Sequence, residues 1–219
     1  MKNKPLLIVL STLVLLIGLF FLGSFLVKND QKNEQLSQAI KNQELIESPL
    51  SMRKGPKEAP VIITEFFDPE CESCREFHPY LQSLMNDFDG KIQLVLRYAP
   101  FHHNSIFAVK ILEASRDQNL YWETLQLLYK YQPEWGSHEN PRPELIWGYL
   151  QELKIDINKL KIDMDSSRID ELLAKDIQDV KLLGVKATPT FFVNGKIVLE
   201  YGPVHLRNAI EDALKNLEN

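Results

Sequence analysis

The sequence predicts an α/β fold: a strand–helix–strand unit, a long helical block, a β-hairpin and a closing helix, preceded by an N-terminal transmembrane helix. Three observations predict it. Two short apolar runs flank a stretch of helical spacing between residues 61 and 99. Amphipathic stripes then occupy residues 101–184, and Asn194-Gly195 separates two further apolar runs. A strand, helix and strand in so short a span make a βαβ unit, which brings its two strands together in parallel.

The N-terminus sets the expected compartment. Basic "MKNK" precedes a run without charge from Pro5 to Val27, and charge returns at Lys28. About 20 apolar residues suffice to span a bilayer, whereas a cleavable signal has a core of about 7–15 residues and a small-residue exit. Gly23 and Ser24 offer a poor exit, so residues 1–28 are expected to be an uncleaved anchor with a cytoplasmic tip. The remaining chain is then expected to lie outside the cytoplasm. Residues 29–56 are polar and free of aromatic side chains, and read as a tether.

"VIITEFF" (61–67) is a buried strand ended by Asp68-Pro69. Cys74, Phe77, Leu81, Leu84 and Phe88 recur at helical spacing, with a kink expected at Pro79. "KIQLVLRYA" (91–99) is the second strand. Within 101–184, "SIFAVKILEASRDQ", "YWETLQLLYKY", "PELIWGYLQEL" and "SSRIDELLAKDIQDVKLLG" each carry an apolar stripe. The last begins with a capping-box pattern, Ser167-x-x-Asp170, and ends on Gly184. "TFFVNGKIVLE" (190–200) is a hairpin about Asn194-Gly195, and Pro203 opens the final helix.

Without the helical block the order is β-α-β…β-β-α, the thioredoxin arrangement. The expected domains are therefore a thioredoxin-like domain at 57–100 and 185–219, with 101–184 as an inserted helical domain.

A net charge of −5 provides no basic surface, which excludes nucleic acid as a partner. Cys71 and Cys74 are the chain's two cysteines. A disulfide between them closes too small a loop to constrain much of the unfolded chain, so the pair points to chemistry. Cys71 falls at a helix N-terminus, where unpaired N–H groups and the helix dipole favour a thiolate. Cys74, one turn on, faces the same way and is placed to attack a mixed disulfide on Cys71. Glu65 lies on the preceding strand, where a buried carboxyl can exchange a proton with Cys74. Pro189 sits in a turn that accommodates a cis X-Pro bond, leaving the Thr188 backbone free for an extended substrate. Cys71, Cys74 and His78 also have ligand-like spacing, so a copper or zinc metallochaperone is the rival reading. His102 and His103 read as solvated residues at a helix entrance.

These motifs resemble the DsbA family of thiol–disulfide oxidoreductases, a thioredoxin fold carrying a helical insertion. The resemblance covers roughly residues 55–217. "APVIITEFFDPECESC" is similar to the family's active-site entry, "LGVKATPTFFVNG" to its cis-proline loop, and "NSIFAVKILEASRDQNLYWETLQLLYKYQPEW" to the start of its helical domain. It implies that Cys71 attacks, Cys74 resolves, Pro189 is the cis-proline, Glu65 is the buried acid and Thr188 contacts substrate. It further implies a domain on the periplasmic side of a bacterial cell membrane, cysteine-containing protein substrates, a membrane protein that resets the pair, and no cofactor. It leaves the oxidase, isomerase and reductase directions open. One departure stands out. Strongly oxidising members place a histidine between the cysteines, where this chain has Glu72-Ser73. With Glu70 and Glu76 nearby, like charge is expected to make Cys71 less acidic than in those members and to lower the reduction potential.

Overall fold

The computed structural model describes residues 42–217. Its central strand, β2 (Val61–Phe67), pairs in parallel with β3 (Ile92–Tyr98), Val61 opposite Ile92 and Phe67 opposite Tyr98. Both strands are buried on both faces, which is why they read as continuous apolar runs rather than as alternation. β1 (Met52–Lys54) lies antiparallel on the far side of β3. β4 (Thr190–Val193) lies antiparallel to β2, and β5 (Lys196–Ile197) to β4, giving the order β1-β3-β2-β4-β5. At the hairpin Asn194 and Gly195 have φ of 45° and 76°, the two positive values that a type I′ turn requires.

Helices cover both faces of the sheet. α1 (Glu72–Asp87) runs through Pro79 as one element and buries Cys74, Phe77, Leu81 and Leu84. Between β3 and β4 come α2 (Ser105–Arg116), α3 (Tyr121–Trp135), α4 (Ile146–Tyr149), α5 (Ile157–Asp163) and α6 (Ser167–Leu183). The stretch expected as one helix over "PELIWGYLQEL" is instead α4 between two 3₁₀ turns, Pro143–Leu145 and Leu150–Glu152. α7 (Pro203–Lys215) closes the described chain. The helical insertion is thus present. Its last helix, α6, is part of the sheet's cover: Val180 packs in one cluster with Phe66 and Phe192.

The ends of α6 divide the sequence expectation. Gly184 caps it at φ 67°, in the left-handed region that suits glycine. The expected capping box is not formed, because Ser166 is the N-cap and makes no side-chain cap bond.

The largest departure concerns the tether. From Leu45 onward the chain belongs to the compact unit, Ile46 is buried, and β1 is a strand of the sheet. Arg97 on β3 explains the attachment. It is wholly buried and donates to Asp176 Oδ1 at 2.8 Å and Asp179 Oδ2 at 2.6 Å. Its remaining N–H groups reach the carbonyl oxygens of Leu45 and Ile46. A buried guanidinium needs its donors matched, and the segment before β1 supplies acceptors through its backbone. Side-chain composition carries no trace of that role. The expected anchor, residues 1–28, lies outside the described residues, as does the tether up to residue 41. Among the described residues no helix is long and apolar enough to cross a membrane.

Candidate active site

β2 delivers the chain into a polar loop, Asp68-Pro69-Glu70, that the helical block holds in place. Asp68 is fully buried and accepts from the N–H groups of Glu70 (2.9 Å) and Phe101 (2.8 Å) and from the Ser105 hydroxyl (2.7 Å). Its Oδ2 also lies 2.8 Å from Nδ1 of His102. The carboxylate holds a proton on that ring, and His102 is pushed up to about 9, against the opposing effect of partial burial. Glu70, also buried, accepts from the backbone N–H of Asn104 at 2.6 Å and from its side-chain amide at 2.8 Å. From α3, Gln132 donates to the carbonyls of Pro69 (2.8 Å) and Cys71 (3.0 Å).

Cys71 is the N-cap of α1, with extended backbone at φ −76° and ψ 123°. Its thiol donates to the Thr188 carbonyl oxygen at 3.3 Å. Burial alone disfavours a thiolate there, but hydrogen bonds outweigh it. The Cys74 thiol contributes most, followed by the Thr188 side chain and the N–H groups of Cys74 and Ser73, and together they bring Cys71 down to about 6. Cys74 behaves in the opposite way. It is completely buried, and desolvation, its bond to Cys71 and the nearby charge of Glu65 hold its pKa well above the usual thiol range. One thiol is primed and the other keeps its proton.

Glu65 lies on β2 between Leu96 of β3 and Phe191 of β4. Burial, and then the charge of Cys71, push its carboxyl up to about 8. The Thr188-Pro189 bond is cis. An open groove of about 340 Å³ runs past this loop, lined among others by Ser73, Thr188, Pro189 and Tyr201.

The structure therefore brings Cys71, Cys74, Glu65, Thr188 and Pro189 into one site. Two of the sequence expectations change. The glutamates do not surround Cys71 as a ring of free like charge: Glu70 is turned to Asn104, and Glu72 pairs with His138 at 3.1 Å. Ser73 acts through its backbone N–H. His78 does not join the cysteines. It packs on Tyr129 with ring centroids 5.1 Å apart, and burial lowers it to about 4. Asp68 and His138 are neighbours to which the sequence reading gave no role, Glu70 was expected only as nearby charge, and His102, expected to be solvated, is instead partly buried and held by Asp68. The signal available was the acid on each side of Pro69 in a strand-to-helix turn, which needs partners once buried.

A sequence model of the thioredoxin family matches residues 47–212. The chain belongs to the thioredoxin family. Among solved structures, this thioredoxin-family chain is similar to the thiol-disulfide exchange protein alpha-DsbA2 of Wolbachia pipientis. The TM-score is 0.69 at 21% identity, covering 84% of this chain and 97% of that one. It is also similar to oxidised BdbD of Bacillus subtilis, with a TM-score of 0.66 at 25% identity over 76% and 94% of the two chains. Of curated relatives, a Na(+)/H(+) antiporter NhaA 1 of Salinispora arenicola is 34% identical over 65% of this chain. The match takes in only 21% of that antiporter's length. A "Probable disulfide bond formation protein D" of Bacillus anthracis is 28% identical over 90% of this chain and 92% of its own.

Proposed function

We propose that this protein is a thiol–disulfide oxidoreductase of the DsbA type that introduces disulfides into cysteine-containing proteins outside the cytoplasm. The observation that carries the reading is the placement of Cys71: at a helix N-cap, acidified, and hydrogen-bonded to Thr188, which itself lines an open groove. The near full-length similarity to a disulfide bond formation protein supports the direction.

In the oxidised form a substrate thiolate attacks Cys71 Sγ. The Cys71–Cys74 bond breaks, and Cys74 leaves as a thiolate that takes a proton, for which Glu65 is the donor. A second substrate thiolate then attacks the mixed disulfide, and Cys71 leaves as the thiolate its hydrogen bonds stabilise. The substrate gains a disulfide and the enzyme holds two thiols. In the reverse direction Cys71 attacks and Cys74, its proton passed to Glu65, resolves. Thr188 and Pro189 form the wall against which an extended substrate lies. A membrane protein is proposed to reoxidise the pair. The exchange needs no cofactor.

Cys71 at about 6 lies between thioredoxin, near 7, and DsbA, near 3.5. The potential is accordingly expected between about −270 and −120 mV. Equilibration with glutathione measures it, and a value below that interval would reverse the direction proposed. Mixing the oxidised protein with an equimolar reduced, unfolded cysteine protein should move the disulfide to the substrate and free two thiols per enzyme chain. No transfer would overturn the reading.

We further place residues 1–28 as a membrane anchor and 29–44 as its tether, supported by the apolar run from Pro5 to Val27. The intact chain should stay with membranes through a high-salt wash. Recovery of a shortened chain in the soluble fraction would mean cleavage instead. The metallochaperone reading is not favoured, because Cys71, Cys74 and His78 do not form a ligand cluster among the described residues.

A further inference from the structure

Three side chains with metal-ligating atoms meet on the outer side of the active-site loop, and the exchange chemistry uses none of them as ligands. Glu72 opens α1, His102 follows β3, and His138 lies in the segment after α3. One ligand atom from each falls within 4.8 Å of the other two. His138 Nε2 is 3.1 Å from Glu72 Oε1, and the rings of His102 and His138 lie 5.4 Å apart between centroids.

We propose that Glu72, His102 and His138 form a binding site for a divalent transition-metal ion of the zinc class. Two imidazoles and one carboxylate are a donor set that suits Zn²⁺ and leaves a fourth position open. Mg²⁺ and Ca²⁺ prefer all-oxygen shells and fit poorly.

A second feature supports the site independently of the cluster. A metal-bound histidine usually gives its other ring nitrogen to a carboxylate or carbonyl, which fixes the tautomer and the ring's orientation. Asp68 does this for His102. Its carboxylate can only accept, so Nδ1 carries the proton and Nε2 is the ring's ligating atom. Asp68 is itself fixed by the Phe101 N–H and the Ser105 hydroxyl. His102 is therefore a preoriented ligand. Glu72 and His138 are the adjustable ones, with side chains 41% and 62% exposed.

Tetrahedral zinc with bonds of about 2.0–2.1 Å needs ligand atoms about 3.3 Å apart. From within 4.8 Å, rotation of those two exposed side chains closes the gap. Binding replaces the Glu72–His138 hydrogen bond with two metal bonds. Any proton on His102 Nε2 passes to solvent, while the Nδ1 proton stays against Asp68. The ion would clip the helical block, through His102 and His138, to the first turn of α1.

The site contains neither cysteine, so it is tested apart from the redox reading. The full-length protein in detergent, with Cys71 and Cys74 oxidised to a disulfide, is dialysed against Zn²⁺. We expect one Zn²⁺ per chain at micromolar free zinc, and affinity reduced at least tenfold by His138→Ala and by Glu72→Gln. His103→Ala, which changes an exposed histidine beside His102, should bind as the wild type does. The proposal fails if the oxidised protein takes up no zinc at about 100 µM, a dissociation constant too weak for a specific site. It also fails if His138→Ala binds normally, if His103→Ala loses as much, or if zinc binds only once the cysteines are reduced.

Discussion

Cys74→Ala should give a protein that captures its substrates and does not let them go. Cys71 remains at the helix N-cap with its stabilising N–H donors, so it still forms a mixed disulfide. What is lost is the thiol that attacks from inside the same molecule. Held one helical turn away, Cys74 acts at an effective concentration that millimolar external thiols do not approach. The mixed disulfide should then live on the order of 100-fold longer. Cys71→Ala should trap almost nothing, because Cys74 is completely buried and its thiol holds its proton well above the usual range. Non-reducing gels of the two variants after exposure to a reduced, cysteine-rich protein separate these outcomes. Equal trapping by both would mean that burial does not assign the roles. Removal of the Cys74 hydrogen bond, the largest influence lowering Cys71, should also raise the Cys71 pKa above the wild-type value of about 6. The 240 nm thiolate absorbance reads that change in the same sample.

Much of this site was legible because its parts are local. The apolar run 61–67, the cysteines at the next helix's start and the helical spacing after them fix a strand, a turn and a helix within 27 residues, Val61 to Asp87. Asn194-Gly195 fixes the hairpin by the φ values it permits. The illegible parts are pairings between distant segments. Asp68 meets His102 across 34 residues and Glu72 meets His138 across 66. Nothing in a Glu-Ser spacer says that a histidine from beyond α3 will hydrogen-bond to it. Arg97 sits inside a run read as an apolar strand, and its demand for acceptors is met partly by the carbonyls of Leu45 and Ile46. A backbone carbonyl has no residue type, so the ordered start of the domain could not be told from a polar tether. "MRK" is likewise a strand by its position at the sheet edge rather than by its propensity.

Glu65→Gln should stabilise the fold at alkaline pH and slow the exchange, two effects of opposite benefit from one buried carboxyl. Unfolded, Glu65 releases its proton near 4.5; folded, it keeps it to about 8, mainly because burial disfavours the charge. Between these values the folded state binds more protons than the unfolded one, so stability falls as pH rises from 4.5 to 8. Below the interval both states are protonated and the residue contributes nothing. Above it, the cost of ionising a carboxyl inside the sheet is fully present, on the order of 5 kcal/mol for a shift from 4.5 to about 8. Glutamine keeps the shape and removes the titration. Wild type and variant should therefore unfold alike at pH 4 and part progressively as pH rises. By pH 8.5 the variant should melt roughly 10–20 °C higher in a chain of this size. Both are compared in the reduced form, so the opposing contribution of Cys71 is largely common to them. The catalytic effect has the other sign. Cys74 must lose a proton to resolve a mixed disulfide, and glutamine cannot take it, so resolution at pH 7 should slow by about 100-fold. Denaturant unfolding across pH and single-turnover decay of a preformed mixed disulfide measure the two effects separately. A variant no more stable at pH 8.5 would show that the carboxyl is solvated in the folded state. Greater stability with unchanged resolution would leave Glu65 a burial cost without a part in proton transfer.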